Sequence, residues 1–225
     1  MNFSNVQQSF YQEINQPDEQ INLAKASLYF AQTEYPNLDL DEYLNALDTI
    51  AEEVRERLLN NFYPLKVIQT INQYLFADLG FRGNTIDYYD PRNSFLNEVI
   101  ERRTGIPITL SVVYLEIAQR LDFSMVGVGM PGHFLIRPNF EDVGIFVDVF
   151  NQGEILFEQD CETKLSQVYQ QTVKLESYFL QPISNQQILV RMLTNLKLIY
   201  FNLQQLSKAL KIVELLLLML PNHPR

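Results

Sequence analysis

Cysteine is nearly missing from this chain: Cys161 is the single thiol in 225 residues. A disulfide within the chain is excluded, and a reducing compartment fits. Histidine is almost as scarce. His133 and His223 stand far apart, and with one cysteine they give no metal-ligand spacing, so no metal site is expected. No GxGxxG or P-loop run is present, and no cofactor is expected. Positive charge is sparse, with 17 Lys+Arg against 27 Asp+Glu and a formal net charge of −10. Phosphate-backbone binding needs concentrated Lys and Arg, so nucleic acid is excluded as a partner. The longest apolar run, 215–220, falls far short of the roughly 20 residues that cross a bilayer. Residues 1–16 have neither a basic flank nor a continuous apolar core, so no signal peptide is read there. A cytoplasmic protein with no membrane contact is the expectation.

What the chain does have is 47% hydrophobic residues, enough for one substantial core and a small appended unit. Residues 1–17 are polar and are expected to fray. Over 18–30, Ile21, Ala24 and Leu28 share a helical face, with Asp18 in position to cap the helix. Apolar residues at spacings of three and four predict a second helix over 39–60. A third, over 64–79, opens on Pro64 and closes at Gly80. Residues 81–94 form an aromatic loop rich in Gly, Asn, Asp and Pro. A short helix follows to Arg103, with Asn93 or Ser94 as its cap. A helix apolar on nearly every side then runs from Pro107 or Thr109 to Leu121, the signature of a central core helix.

Short β-type runs come next, over 125–130, 133–138, 145–150 and 154–157, bounded by Gly, Pro and Asn. Few and sequential, they predict a small antiparallel sheet against the core helix. Helices resume over 161–169, 186–202 and 206–220, the last two as a hairpin. The fold class is α+β: an N-terminal helical layer, a central helix with a small antiparallel sheet, and a C-terminal helical hairpin. The expected units are 18–180 and 185–221. A lone hairpin of this kind cannot bury its own apolar face and must dock on something.

The chemistry-bearing residues follow the core helix. His133 lies in one strand-like run and Asp148 in the next. The stretch YYDPRNSFLNEVIERRTGIPITLSVVYLEIAQRL, with GVGMPGHFLIRP and FVDVFNQG after it, resembles the SirB family of transglutaminase-like proteins with a trailing tetratricopeptide region. The resemblance extends from about Ile21 to Pro221, and RRTGIPITLS and GVGMPGHF are its most specific parts. It implies a transglutaminase-like, papain-like core, and it implies function only weakly. In active members of that superfamily a cysteine opens the core helix, and a histidine and an aspartate follow on two strands. The resemblance puts His133 and Asp148 in those last two slots. The nucleophile slot, near 106–109, holds no cysteine.

Thr109 and Ser111 are the nearest hydroxyls. Either could replace the thiol beside a histidine, or Thr109 could cap the helix while Ser111 packs or bonds locally. Cys161 comes after both His133 and Asp148, and its neighbours Asp160 and Glu162 would raise its pKa, so a packing role is expected. His133 itself could be a structural partner of Asp148, part of a working site, or the wall of a ligand pocket. Arg92, Asn93, Arg102 and Arg103, together with His133, are the candidate binding residues. The arginines would either pair with nearby acids or fork onto a partner's carboxylates.

Three functions remain open at this point: a non-catalytic module that binds a protein or peptide, an atypical hydrolase using Ser/Thr, His and Asp, and a scaffold that recruits a partner through its hairpin. The stripe Val213, Leu216, Leu217, Leu220 lacks an evident cover, so homodimerisation through the C-terminal helix is also expected.

Overall fold

The computed structural model describes residues 5–58, 63–140 and 144–219. Pro221 and His223 therefore lie outside the described residues. So do the tail ends of the second helix (59–60) and of the last one (Leu220).

The centre is helix α6, Pro107–Arg120, and its burial follows from its composition. Twelve consecutive residues, Pro107 to Ala118, are buried, including Glu116. That carboxylate is compensated at both oxygens. One accepts from the backbone N–H of Ala24 at 2.9 Å, and the other pairs with Arg120 at 2.6 Å. A buried charge is tolerated when both its hydrogen bonds and its counter-charge are supplied.

Four helices make the N-terminal layer: α1 (Asn5–Ile14), α2 (Leu23–Ala31), α3 (Leu40–Leu58) and α4 (Pro64–Asn72). The last continues as a π-helical stretch to Asp78. The expectation of a frayed N-terminus is corrected for residues 5–14, which form α1. Val6, Phe10 and Ile14 recur every four residues, and Phe10 and Ile14 are buried against the common core. The intervening glutamines disguise that face. Asp18 does not cap its own helix. Asn22 does so, accepting from the Lys25 N–H, while the Asp18 carboxylate accepts from the N–H groups of Asn185 and Gln186 at 2.9 Å. It thus caps a helix 167 residues away.

After α4 come β1 (Arg82–Gly83), α5 (Leu96–Arg102) and β2 (Thr104–Gly105), which pairs in parallel with β1. The cap of α5 is Phe95, without a side-chain bond, and neither Asn93 nor Ser94 serves. The main sheet holds β3 (Met125–Val128), β4 (Leu135–Pro138), β5 (Phe146–Asp148), β6 (Glu154–Leu156) and β7 (Pro182–Ile183), in the order β6-β5-β4-β3-β7, all antiparallel. His133 falls two residues before β4, in a turn rather than in the strand. Strand β7 went unread because a two-residue strand leaves no alternation to detect.

Alternation along the strands divides the sheet's two faces. Ile136 and Val147 are paired in register and face the α6 core. Leu135 and Phe146 face the other way, into a small cluster with Cys161 and Leu165 of α7 (Glu158–Tyr169).

The C-terminal hairpin, α8 (Asn185–Asn202) and α9 (Leu206–Met219), docks on the rest of the chain. Ile188, Leu189, Met192, Leu193 and Leu196 of α8 and Ile212 and Leu215 of α9 belong to the same apolar core as Phe10 and α6. Among the described residues no helix is long and apolar enough to cross a membrane.

Replacing Asp18 with Ala strands two N–H groups at the start of α8. Stability should fall by about 1 kcal/mol, read from the urea midpoint. An unchanged midpoint would mean that water satisfies those groups equally well.

Candidate functional site

The sheet places His133 and Asp148 side by side. Register pairs Ile136 with Val147, so Asp148, one residue on, points to the α7 side of the sheet. Asp148 is fully buried. Its carboxylate is nevertheless surrounded: His133 Nε2 at 2.9 Å, Lys164 Nζ at 2.9 Å and the Asn151 side-chain amide at 2.7 Å. The backbone N–H of Asn151 also donates to it. Burial alone would raise the Asp148 pKa, but His133, Asn151 and Lys164 outweigh it and hold the carboxyl well below the usual range. Asp148 is therefore an anion at any ordinary pH. Lys164 also reaches Glu154 at 2.8 Å. Burial pulls the Lys164 pKa down, and the two carboxylates more than restore it, so it stays a cation.

His133 Nε2 faces the Asp148 carboxylate at 2.9 Å but without the alignment of a well-formed hydrogen bond. With Nε2 turned toward Asp148, Nδ1 is the ring nitrogen not engaged by the carboxylate. The turn carrying His133 is built for it. Gly132 has φ +72°, and a Cβ there would lie 2.4 Å from Val168. Arg191 on α8 donates to the carbonyls of Met130 and His133 at 3.2 and 2.7 Å and lies over the Phe134 ring.

His133 lines an open depression of about 540 Å³. Tyr88 and Tyr89 border it from the loop before α5, and Phe150 and Asn151 from the turn after β5. Lys164, Gln167 and Val168 border it from α7. Phe150 can lie flat there because residue 83 is glycine: a Cβ would meet its ring at 2.5 Å.

The residue of α6 that reaches this depression is Pro107. It stands at the first position of the core helix, where the resemblance calls for a nucleophile, and it has neither a nucleophilic atom nor an N–H. Thr109 is fully buried, and its hydroxyl bonds the Asn93 carbonyl at 2.7 Å and the Ile106 N–H at 3.1 Å. It is a helix cap. Ser111 is buried too, with an unpartnered hydroxyl, and does not line the depression. Cys161 is buried on the α7 side of the sheet. Burial first, then Asp160 and Glu158, pushes its thiol up to about 12.

The arginine cluster lies elsewhere. Arg92 pairs with Asp90 at 2.7 Å, and Arg102 lies 3.7 Å from the same carboxylate and 4.0 Å from Glu98. Arg103 is left-handed (φ 52°) and donates to the Leu79 carbonyl. Asn93 is fully buried. Its amide donates to the carbonyls of Asp87 and Tyr88, and its oxygen accepts from Asn84. None of the four lines the depression. They hold the loop that presents Tyr88 and Tyr89.

Lys164, Asn151, Arg191 and the aromatic rim escaped the sequence reading. One signal was available: Lys164 is the only basic residue in α7. Among the described residues no group of three or more His, Cys, Asp or Glu could hold a metal.

A central helix, a following antiparallel sheet, and a histidine and aspartate at its helix-facing end define a transglutaminase-like protein. Residues 41–194 match Transglut_core2, of the transglutaminase-like superfamily, and the chain belongs to that superfamily. It is 36% identical over 211 residues to a UPF0162 protein of Xylella fastidiosa, covering 92% of this chain and 75% of the relative. A UPF0162 protein of Vibrio cholerae is 31% identical, over 66% of this chain and 55% of its own length. Human F-box only protein 21 is 29% identical over 68% of this chain but only 29% of its own. No solved structure matches significantly.

Removing the imidazole leaves a buried carboxylate with fewer partners. His133→Ala should cost about 1–3 kcal/mol, seen as a melting temperature several degrees lower. Asp148 holds its proton less readily folded than unfolded. The unfolded chain therefore gains more protons as pH falls, and stability should be lost progressively below about pH 4. Asp148→Asn should flatten that acid limb in pH-dependent melting. A limb of unchanged slope would show that other carboxylates carry it.

Proposed function

We propose that this chain is a non-catalytic transglutaminase-like protein that binds a protein or peptide segment in the depression at His133. The observation that carries this reading is Pro107, which stands where the superfamily's chemistry needs a nucleophile. The remaining elements support a retained groove. The His133–Asp148 pair is in place, the depression is open, and exposed aromatic rings border it. A groove shaped for an acyl substrate keeps its shape without its attacking atom. The finer assignment to SirB-type proteins with a tetratricopeptide-like hairpin, and a cytoplasmic location, belong to this proposal. So does the absence of nucleic acid, metal and cofactor from its partners.

The atypical hydrolase is the competing reading, and the buried, bonded Thr109 counts against it. In p-nitrophenyl acetate hydrolysis the wild-type chain should be no faster than an equal concentration of free imidazole. His133→Ala should leave that rate unchanged. A rate that collapses in both His133→Ala and Thr109→Ala or Ser111→Ala would establish the hydrolase instead.

A second interaction is favoured by the outer face of α9. Leu206, Leu210 and Leu217 share one helical face and are exposed, and Leu198 and Phe201 of α8 are exposed near them in sequence. Leu216, expected on that face, is half-buried against the core. We take this face as the homodimer or scaffold surface. In sedimentation at tens of micromolar, the wild type should be heavier than Leu210→Glu. Equal monomer masses would end the idea.

A further inference from the structure

We infer that the depression at His133 takes a proline-rich segment in the polyproline II conformation. This rests on the peptide-binding reading and names its ligand class. The argument starts from the rings. Tyr89, Tyr88, Phe150 and His133 form a continuous row, each ring steeply tilted to the next. Centroids are 5.2, 6.0 and 6.4 Å apart and interplanar angles are 75°, 70° and 83°. Rings crossed in this way leave ridges and clefts instead of a flat plate. The clefts suit the compact, puckered proline ring, and a polyproline II segment repeats every three residues, about 9 Å. Pro107 and Val168 add apolar wall.

The polar groups point the same way. A proline-rich strand offers carbonyls and almost no N–H groups, so its site needs donors. Tyr88, Tyr89, Gln167 and Lys164 line the depression, and no carboxylate does. Asp148 lies beneath the surface, fully buried. The hydroxyls of Tyr88 and Tyr89 hydrogen-bond to no other described residue. Burial, with Tyr89 adjacent, raises the Tyr88 pKa, so its phenol remains a donor at neutral pH.

Other ligand classes fit less well. A phosphopeptide needs free cations, but Lys164 is held by Asp148 and Glu154, and Arg92 by Asp90. Strand addition needs a long free edge. The sheet's edges are β6, of three residues, and β7, of two, one of them proline.

The loop geometry preorganises the row. Asn93 fixes the carbonyls of Asp87 and Tyr88 from below, and Asp90 ties that segment to Arg92 and Arg102. A ring row held this way is not reordered when ligand arrives, which reduces the entropic cost of binding.

The test is fluorescence anisotropy with the full chain and three fluorescein-labelled decamers: decaproline, an alternating Gly-Ser peptide, and a proline-free Ala-Thr-Gln peptide. Decaproline should bind at least tenfold tighter than either of the others. Tyr89 is 69% exposed and packs edge-on against the Tyr88 ring, so its removal leaves the core intact. Tyr89→Ala should weaken decaproline at least fivefold at an unchanged melting temperature, and Gln167→Ala provides a second rim variant should the first misfold. If the proline-free decamer binds as tightly and is lost in the same variants, the proline preference is wrong and the peptide-binding reading survives. If none of the three binds at millimolar concentration, both are wrong.

Discussion

A carboxylate with no access to water dictates much of this molecule. Asp148 ends a short strand inside the fold, and an isolated buried anion would be too costly to keep. Three elements therefore converge on it. The turn before β4 supplies His133, the turn after β5 supplies Asn151, and α7 supplies Lys164. Two of these partners have further attachments. Lys164 also binds Glu154 on β6, and the backbone of His133 is held by Arg191 on the C-terminal hairpin. The charge thus ties together sheet, outer helix and hairpin, and the depression is the surface expression of that knot.

The superfamily's scaffold and its chemistry make different demands on a chain. The imidazole–carboxylate pair needs only correct strand register and a buried anion, and both are present. Nucleophilic attack needs one more atom at the head of the core helix. Proline there suits helix initiation, because its fixed φ and missing N–H match the first helical position. Its own side chain carries no nucleophilic atom. The only thiol in the chain, Cys161, packs on the far face of the sheet with Leu135 and Phe146. Its raised pKa follows from burial near acids, the reverse of what activates a cysteine.

How far the sequence could be read depended on whether an element's cause was local. The core helix was legible because an all-round apolar helix has one stable place. The four main strands were legible from Gly, Pro and Asn breaks, and His133 and Asp148 from resemblance. Helix α1 was not, since three apolar residues among glutamines count only once α2 and α9 cover them. Asp18 was misread for a similar reason. Its carboxylate suits any nearby helix start, and only the folded chain shows that the start it meets is that of α8. The arginine and asparagine cluster was noticed for its chemistry, yet its bonds turn inward to Asp90 and to the loop carbonyls.

By itself, then, the sequence determined the class of fold, the His133–Asp148 pair and the lack of a cysteine at the core helix. The fold class and the missing cysteine follow from residue identity and periodicity along the chain, and the pair from the family resemblance. Tertiary structure alone decided that Lys164, Asn151 and Arg191 complete the site and that Tyr88, Tyr89 and Phe150 form its rim. It also decided that the hairpin shares the central core. These depend on which distant segments touch, and burial of charge and apolar surface sets those contacts only when the whole chain has folded.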